Sequence, residues 1–164
     1  MTTVAFKEWA AICEALATGR QSLILRKGGI HEVGGEFRPE YDRFWLYPTY
    51  FHEQQQAGIK PEAHALLAAA EAMRPPHGIV RLAHIAEVVA VAFLSDLDAA
   101  LQLDAEHIWT EATVRQRFAY RTPGLYVLRV RIVPSPTVFE IAERPEYAGC
   151  KTWVPLDPAD LIPR

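Results

Sequence analysis

Cysteine is scarce: the 164 residues hold two, Cys13 and Cys150, and neither lies in a CxxC or a Cys/His spacing. That count and spacing exclude a disulfide framework and a thiolate zinc site, and they predict a reducing, cytoplasmic setting. Long apolar runs are missing too. The longest, Val88 to Leu94, is far short of the roughly 20 residues a spanning helix needs. No apolar stretch near Met1 suggests a secretory leader, so no membrane role is expected. There is no GxxxxGK(S/T), GxGxxG or GxSxG motif and no EF-hand loop, which removes P-loop hydrolysis and the common dinucleotide, esterase and calcium signatures. Repeats, low-complexity tracts and linkers are absent as well. One domain is expected over residues 1–164, with an irregular, proline-containing tail from about 155.

Acidic residues are missing from two long segments, 15–31 and 112–139, which carry eight of the 17 Lys and Arg residues. The net charge of −3 implies no wholesale attraction to nucleic acid, yet this distribution predicts one basic face. Half of the residues are hydrophobic and 23% are charged, an ordinary globular balance that excludes disorder.

Phe6, Trp9, Ala10, Cys13 and Leu16 recur at helical spacing, which predicts an opening helix over Phe6–Leu16 capped by Gly19. Leu23–Lys27 reads as a central strand, followed by a glycine-interrupted loop through Gly34-Gly35. "RFWLYPTYF" reads as a strand up to Tyr47 that Pro48 breaks. Pro61 opens a second helix with an apolar stripe of Leu66, Leu67, Ala70 and Met73, stopped by Pro75-Pro76. Val88–Leu94, apolar at every position, predicts a central strand buried on both faces. Ser95 with Asp98 resembles the cap of a short helix, and "EATVRQRFAYR" predicts another. Leu125–Val133 alternates cleanly, and "TVFEIA" and "CKTWVPL" are shorter strands. This order predicts an α+β domain: a mixed, largely antiparallel curled sheet or partial barrel with helices packed outside.

Four segments carry candidate chemistry. In Arg26-Lys27-Gly28-Gly29 two cations adjoin a bare backbone, which suits a phosphate cradle or a solvated turn. The acid-x-Lys strand end of many metal nucleases would fall on Leu25-Arg26-Lys27, and leucine cannot hold a metal. His31-Glu32 and His52-Glu53 are acid–base candidates, with Thr49, Tyr50 and His52 at a pocket mouth. His52-Glu53 is half of HExxH, but Gln56 replaces the second histidine, so no metal is expected. Arg117 and Arg121 lie four apart, on one face of a helix, with Phe118 and Tyr120 between them. Such a set can grip phosphates and stack on bases, or it can pair with Glu106 and Glu111. Tyr47 is a further stacking candidate. Cys150 reads as a small buried residue beside Trp153.

The strings "FKEWA", "ILRKGGI", "FWLYPTYFHEQ", "HIWT", "PGLYVL" and "EYAGCKTWVPL" resemble a bacterial family described as domain of unknown function 1802, from about Ala5 to Leu156. That resemblance implies a bacterial protein and brings no activity with it. From the residues themselves the favoured reading is a nucleic-acid or nucleotide-binding module without a cofactor. Its binding set is Arg26, Lys27, Gly28, Gly29, His31, Tyr47, Thr49, Tyr50, His52, Arg117 and Arg121. An enzyme acting on a phosphate ester or nucleotide, with a phosphorylated small molecule as its partner, is the alternative; a protein-binding scaffold is the third.

Overall fold

The computed structural model describes residues 1–163. Strand β1 (Val4–Trp9) leads directly into helix α1 (Ala10–Ala17) and then β2 (Leu23–Arg26). A hairpin of β3 (Ile30–Val33) and β4 (Glu36–Pro39) follows, then β5 (Arg43–Thr49). Helices α2 (His52–Gly58) and α3 (His64–Ala72) precede the long strand β6 (Ile79–Leu94). Short helices α4 (Leu97–Leu101) and α5 (Glu111–Ala119) come before β7 (Leu125–Ala142) and β8 (Trp153–Pro155). Six strands form one open sheet in the order β2-β7-β6-β5-β1-β8, and β3 pairs with β4 apart from it. The β1/β5 pair is parallel and the other pairs are antiparallel. The architecture is α+β with a mixed, unclosed sheet, as the element order leads one to expect.

Strand alternation divides the core in two. Val4 and Phe6 of β1, with Phe44 and Leu46 of β5, join the larger cluster beneath α1, α3 and α5. Ala5, Trp45 and Tyr47 point the other way, into a smaller cluster closed by Tyr147, Val154, Leu156 and Leu161.

Several expectations are corrected. Val4–Trp9 is a strand and the first helix begins at Ala10, because a parallel partner on one side and β8 on the other satisfy its backbone. β2 is an edge strand, not a central one. The glycine loop is the β3/β4 hairpin, turned by Gly34 and Gly35 at φ 58° and 82°. Pro48 stays inside β5, since β6 pairs only with Arg43–Trp45 and no partner there needs its missing N–H. Leu125–Val133 and "TVFEIA" are one strand, and β6 is likewise continuous, with register shifts at Leu82/His84 and Val88/Ala90. The second shift turns Val89 outward, 63% exposed, and β5 pairs with β6 only at Ile85–Glu87. Val88–Leu94 therefore has β7 alone as its ladder partner and is neither central nor buried on both faces. Met73 leaves the α3 stripe for solvent. The cap of α4 is Asp96, whose carboxylate accepts the Asp98 N–H, rather than Ser95. No helix among the described residues is long and apolar enough to cross a membrane.

Candidate functional site

Because β1 and β5 are parallel, their carboxyl ends lie side by side, with Lys7 opposite Tyr47, Glu8 opposite Pro48 and Trp9 opposite Thr49. The chain then departs into α1 from one strand and through Tyr50-Phe51 into α2 from the other. A crevice opens where such neighbouring strand ends diverge. Arg26 from the end of β2, Arg117 from α5, and the loops 74–78 and 148–152 complete a cleft of about 700 Å³, a volume typical of small-molecule sites.

The cleft is cationic. Lys7, Arg26, Arg74, Arg81, Arg117 and Lys151 line it against only Glu8 and Glu143. Arg81 pairs with Glu140 at 3.3 Å; the other five have no carboxylate partner among the described residues. Elsewhere the pattern reverses. Arg129 pairs with Glu106 at 2.6 Å, Arg115 with Glu111 at 2.7 Å, and Arg43 and Arg131 both with Glu87. The acid-free segments are therefore not acid-free in space. Of their cations Arg26 and Arg117 line this cleft, while Arg20, Lys27 and Arg121 lie outside it, also without a carboxylate partner among the described residues.

Two guanidiniums are deeply seated. Arg117 lies 4.9 Å from the ring centroids of both Trp9 and Trp109. Arg26 lies 4.9 Å from that of Phe6, donates to Thr152 Oγ1, and leaves its Nε without a partner among the described residues. Burial lowers both pKa values, the negative field of Glu8 opposes the shift, and Arg117 adds to the lowering at Arg26. Glu8 is 4% exposed. Its Oε1 accepts the Trp9 N–H at 2.8 Å, and its Oε2 has no partner among the described residues. Three buried charges thus share one field without a direct ion pair. Such an arrangement is costly unless something else completes it, since an unpaired buried charge costs several kcal/mol on the general scale.

The opposite wall is built on hydrogen bonds. Lys7 Nζ donates to the carbonyls of Tyr147 and Gly149, and Lys151 Nζ to that of Glu146, which holds loop 148–152 in place. Burial lowers the Lys7 pKa, against the pull of Glu143. Tyr47 donates to Glu143 Oε1 at 3.0 Å, and burial, reinforced by that bond, holds its hydroxyl neutral. Thr49 Oγ1 donates to the Glu8 carbonyl at 3.2 Å. Tyr50 lies under Arg74 at 4.8 Å, and Phe51 is 57% exposed at the rim.

The structure thus brings together Arg26, Tyr47, Thr49, Tyr50 and Arg117. The remaining sequence candidates lie elsewhere. Lys27 Nζ is occupied by the carbonyls of Phe118, Thr122 and Gly124, so it fastens the end of α5. Gly28 forms no part of the cleft wall, and Gly29, at φ 79°, faces the Trp153 indole. His31 and Glu32 sit exposed on β3. His52 starts α2 and pairs with Glu71, with Glu53 exposed beside it, so these four acid–base candidates do not line the cleft. Arg121 does not share a helical face with Arg117: α5 ends at Ala119, and Arg121 has φ 58° beside Tyr120, outside the cleft. Cys150 is exposed on the cleft wall, not buried beside Trp153. Among the described residues no three His, Cys, Asp or Glu side chains converge as a metal site.

The family model for the domain of unknown function DUF1802 matches residues 5–163, nearly the whole chain. The chain belongs to this family. Among solved structures, the DUF1802 chain is similar to a point variant of ZmASCH from Zymomonas mobilis. That match has 13% identity and a TM-score of 0.56, covering 96% of this chain and 90% of that one. A second structure of ASCH from Zymomonas mobilis matches at 14% identity and TM-score 0.55, with the same coverage. At this identity the likeness is one of fold. Comparison with curated proteins gave no match.

Lys7, Glu8, Trp9, Arg74 and Lys151 of this DUF1802 chain were not legible as site residues. The helical spacing of "AFKEWAAICEAL" conceals the strand end that carries the first three. The signal was present in Glu8, a carboxylate at a position in register with Val4 and Phe6 on a core-facing side.

Proposed function

We propose that the cleft binds nucleic acid as a single strand, or a nucleotide unit of it. The observation that carries this reading is the set of five cations without carboxylate partners in one cleft, on a surface whose other arginines are largely neutralised. Guanidiniums suit phosphate oxygens because they offer a planar fork of donors. Tyr50 and the exposed Phe51 supply flat apolar faces at the rim. Cations beside aromatic faces are the common means of holding single strands, in which bases are free to stack on protein.

The test is a titration with labelled single-stranded RNA and DNA at about 50 and 200 mM salt. Three to five phosphate contacts lower single-strand affinity by roughly 20- to 100-fold over that interval. A variant with Arg26, Arg74 and Lys151 all changed to Ala is expected to bind neither strand measurably. Absence of binding at low salt, or wild-type affinity in that variant, overturns the reading.

A further inference from the structure

Glu8 is out of place in a phosphate site. A carboxylate there repels the ligand unless the ligand brings it a hydrogen, and Glu8 has kept one oxygen unoccupied: Oε1 takes the Trp9 N–H while Oε2 has no donor among the described residues. Neither neighbouring guanidinium fills that role. Arg26 gives one terminal nitrogen to Thr152 and keeps its Nε without a partner among the described residues. Arg117 lies between two indole rings with Nη1 3.5 Å from the Leu25 carbonyl, and neither guanidinium makes a hydrogen bond to Glu8. A buried acceptor left unsatisfied keeps its desolvation cost, the more so when charged. A donor arriving with the anion would complete it.

In a nucleic-acid chain the donor nearest a phosphate is the ribose 2′-hydroxyl, on the carbon next to the one bearing the 3′-phosphate. Base N–H groups lie farther out, beyond the sugar. We infer that Glu8 Oε2 accepts the 2′-hydroxyl of a ribonucleotide whose phosphate is held by Arg26 and Arg117, making Glu8 the residue that selects RNA over DNA. The inference rests on the nucleic-acid reading of the cleft. Acceptance of a 2′-hydroxyl is the general means by which a site tells the two polymers apart. The Glu8 backbone is anchored from two sides, since its carbonyl accepts from Thr49 and the residue pairs with Pro48 across the parallel strands.

The test compares four oligonucleotides of one sequence: RNA, DNA, 2′-O-methyl RNA and DNA with a 3′-terminal phosphate. A hydrogen bond to a charged group is worth about 1.5–3 kcal/mol, so wild type is expected to bind RNA roughly 10- to 100-fold more tightly than DNA or 2′-O-methyl RNA. In Glu8→Leu, which has no acceptor there, the RNA and DNA affinities are expected to converge, with a thermal melt reporting whether the variant folds. The wild-type comparison decides the matter even if it does not. Equal binding of RNA and DNA by wild type overturns the role of Glu8 and leaves the cleft reading standing. Equal binding of 2′-O-methyl RNA and RNA overturns it as well. If 3′-phosphorylated DNA matches RNA, the donor is a phosphate hydroxyl and the ribose assignment is wrong. If no oligonucleotide binds, the reading of the cleft itself fails.

Discussion

The Arg117 guanidinium sits 4.9 Å from the Trp9 ring, and this contact joins the last residue of the first strand to a helix more than 100 positions later in the chain. Trp109 covers the same guanidinium at the same distance. Arg117 is therefore a fixed cation, oriented before any ligand arrives. Arg117→Lys preserves the charge but loses the planar stacking surface and the donor fork. Single-strand affinity is expected to fall about tenfold, corresponding to roughly 1.4 kcal/mol, with the melting temperature little changed. Unchanged affinity in a fluorescence titration would remove Arg117 from the binding set.

Lys151 and Arg74 border the cleft near its rim and carry no carboxylate partner among the described residues. Their contribution is expected to be electrostatic. Each single change to Ala should reduce the steepness of log affinity against log salt by about 0.7, the amount for one single-strand phosphate contact. Identical salt slopes for wild type and both variants would show that neither cation meets a phosphate.

Lys27 has a different role. Its Nζ lies 3.0 Å from the Phe118 carbonyl and 2.8 Å from that of Gly124, and it also contacts Thr122, which ties β2 to the end of α5. Lys27→Met strands those carbonyls, and a loss of about 1–3 kcal/mol in urea unfolding is expected. RNA affinity at temperatures well below the melt should change less than twofold, because Lys27 does not line the cleft. A large affinity loss with unaltered stability would contradict this assignment.

His107 gives the fold a pH dependence. Burial, with Lys60 beside it, lowers its pKa to about 4. Its unfolded value is near 6.5. Between these values the unfolded chain binds a proton that the folded chain does not. Stability is therefore full above about pH 6.5 and falls with pH by up to roughly 1.4 kcal/mol per unit, levelling below about 4. Denaturant melts at pH 7 and pH 5 should show a smaller loss for His107→Gln than for wild type. Equal losses in the two proteins would contradict the buried neutral histidine.

Gly58 leaves no room for a side chain: an added Cβ would lie 2.6 Å from Trp9 Cη2 and 2.7 Å from Cζ3. Gly58→Ala must displace the Trp9 ring, at a cost of about 1–3 kcal/mol in a packed interior. Both thermal stability and RNA affinity are expected to fall together, since Trp9 also walls the cleft. A variant as stable as wild type would mean that the ring moves freely.

What the sequence revealed and what it concealed follow one physical division. Arg26 and Arg117 were legible because they stand in segments without acids. The alternation of Leu125–Val133 and the glycine and proline punctuation around the helices were legible because they are local. Glu8 and Trp9 were not, since Phe6, Trp9 and Cys13 satisfy a helical period equally well. Pairing with Trp45–Thr49, some 40 residues away, and with Trp153–Pro155 at the far end of the chain makes Val4–Trp9 a strand. Arg129 and Arg131 looked like part of a basic face because Glu106 and Glu87, which neutralise them, lie 23 and 44 positions off. Charge in sequence and charge in space diverge wherever partners are distant.

The location of the ligand is the most direct test. Amide chemical shifts recorded on adding a short single-stranded RNA are expected to move at Glu8, Trp9, Thr49–Phe51 and Gly149–Thr152, and to stay fixed in the Ile30–Pro39 hairpin. Shifts confined to that hairpin or to the outer face of β7, with the cleft amides unmoved, would contradict the account.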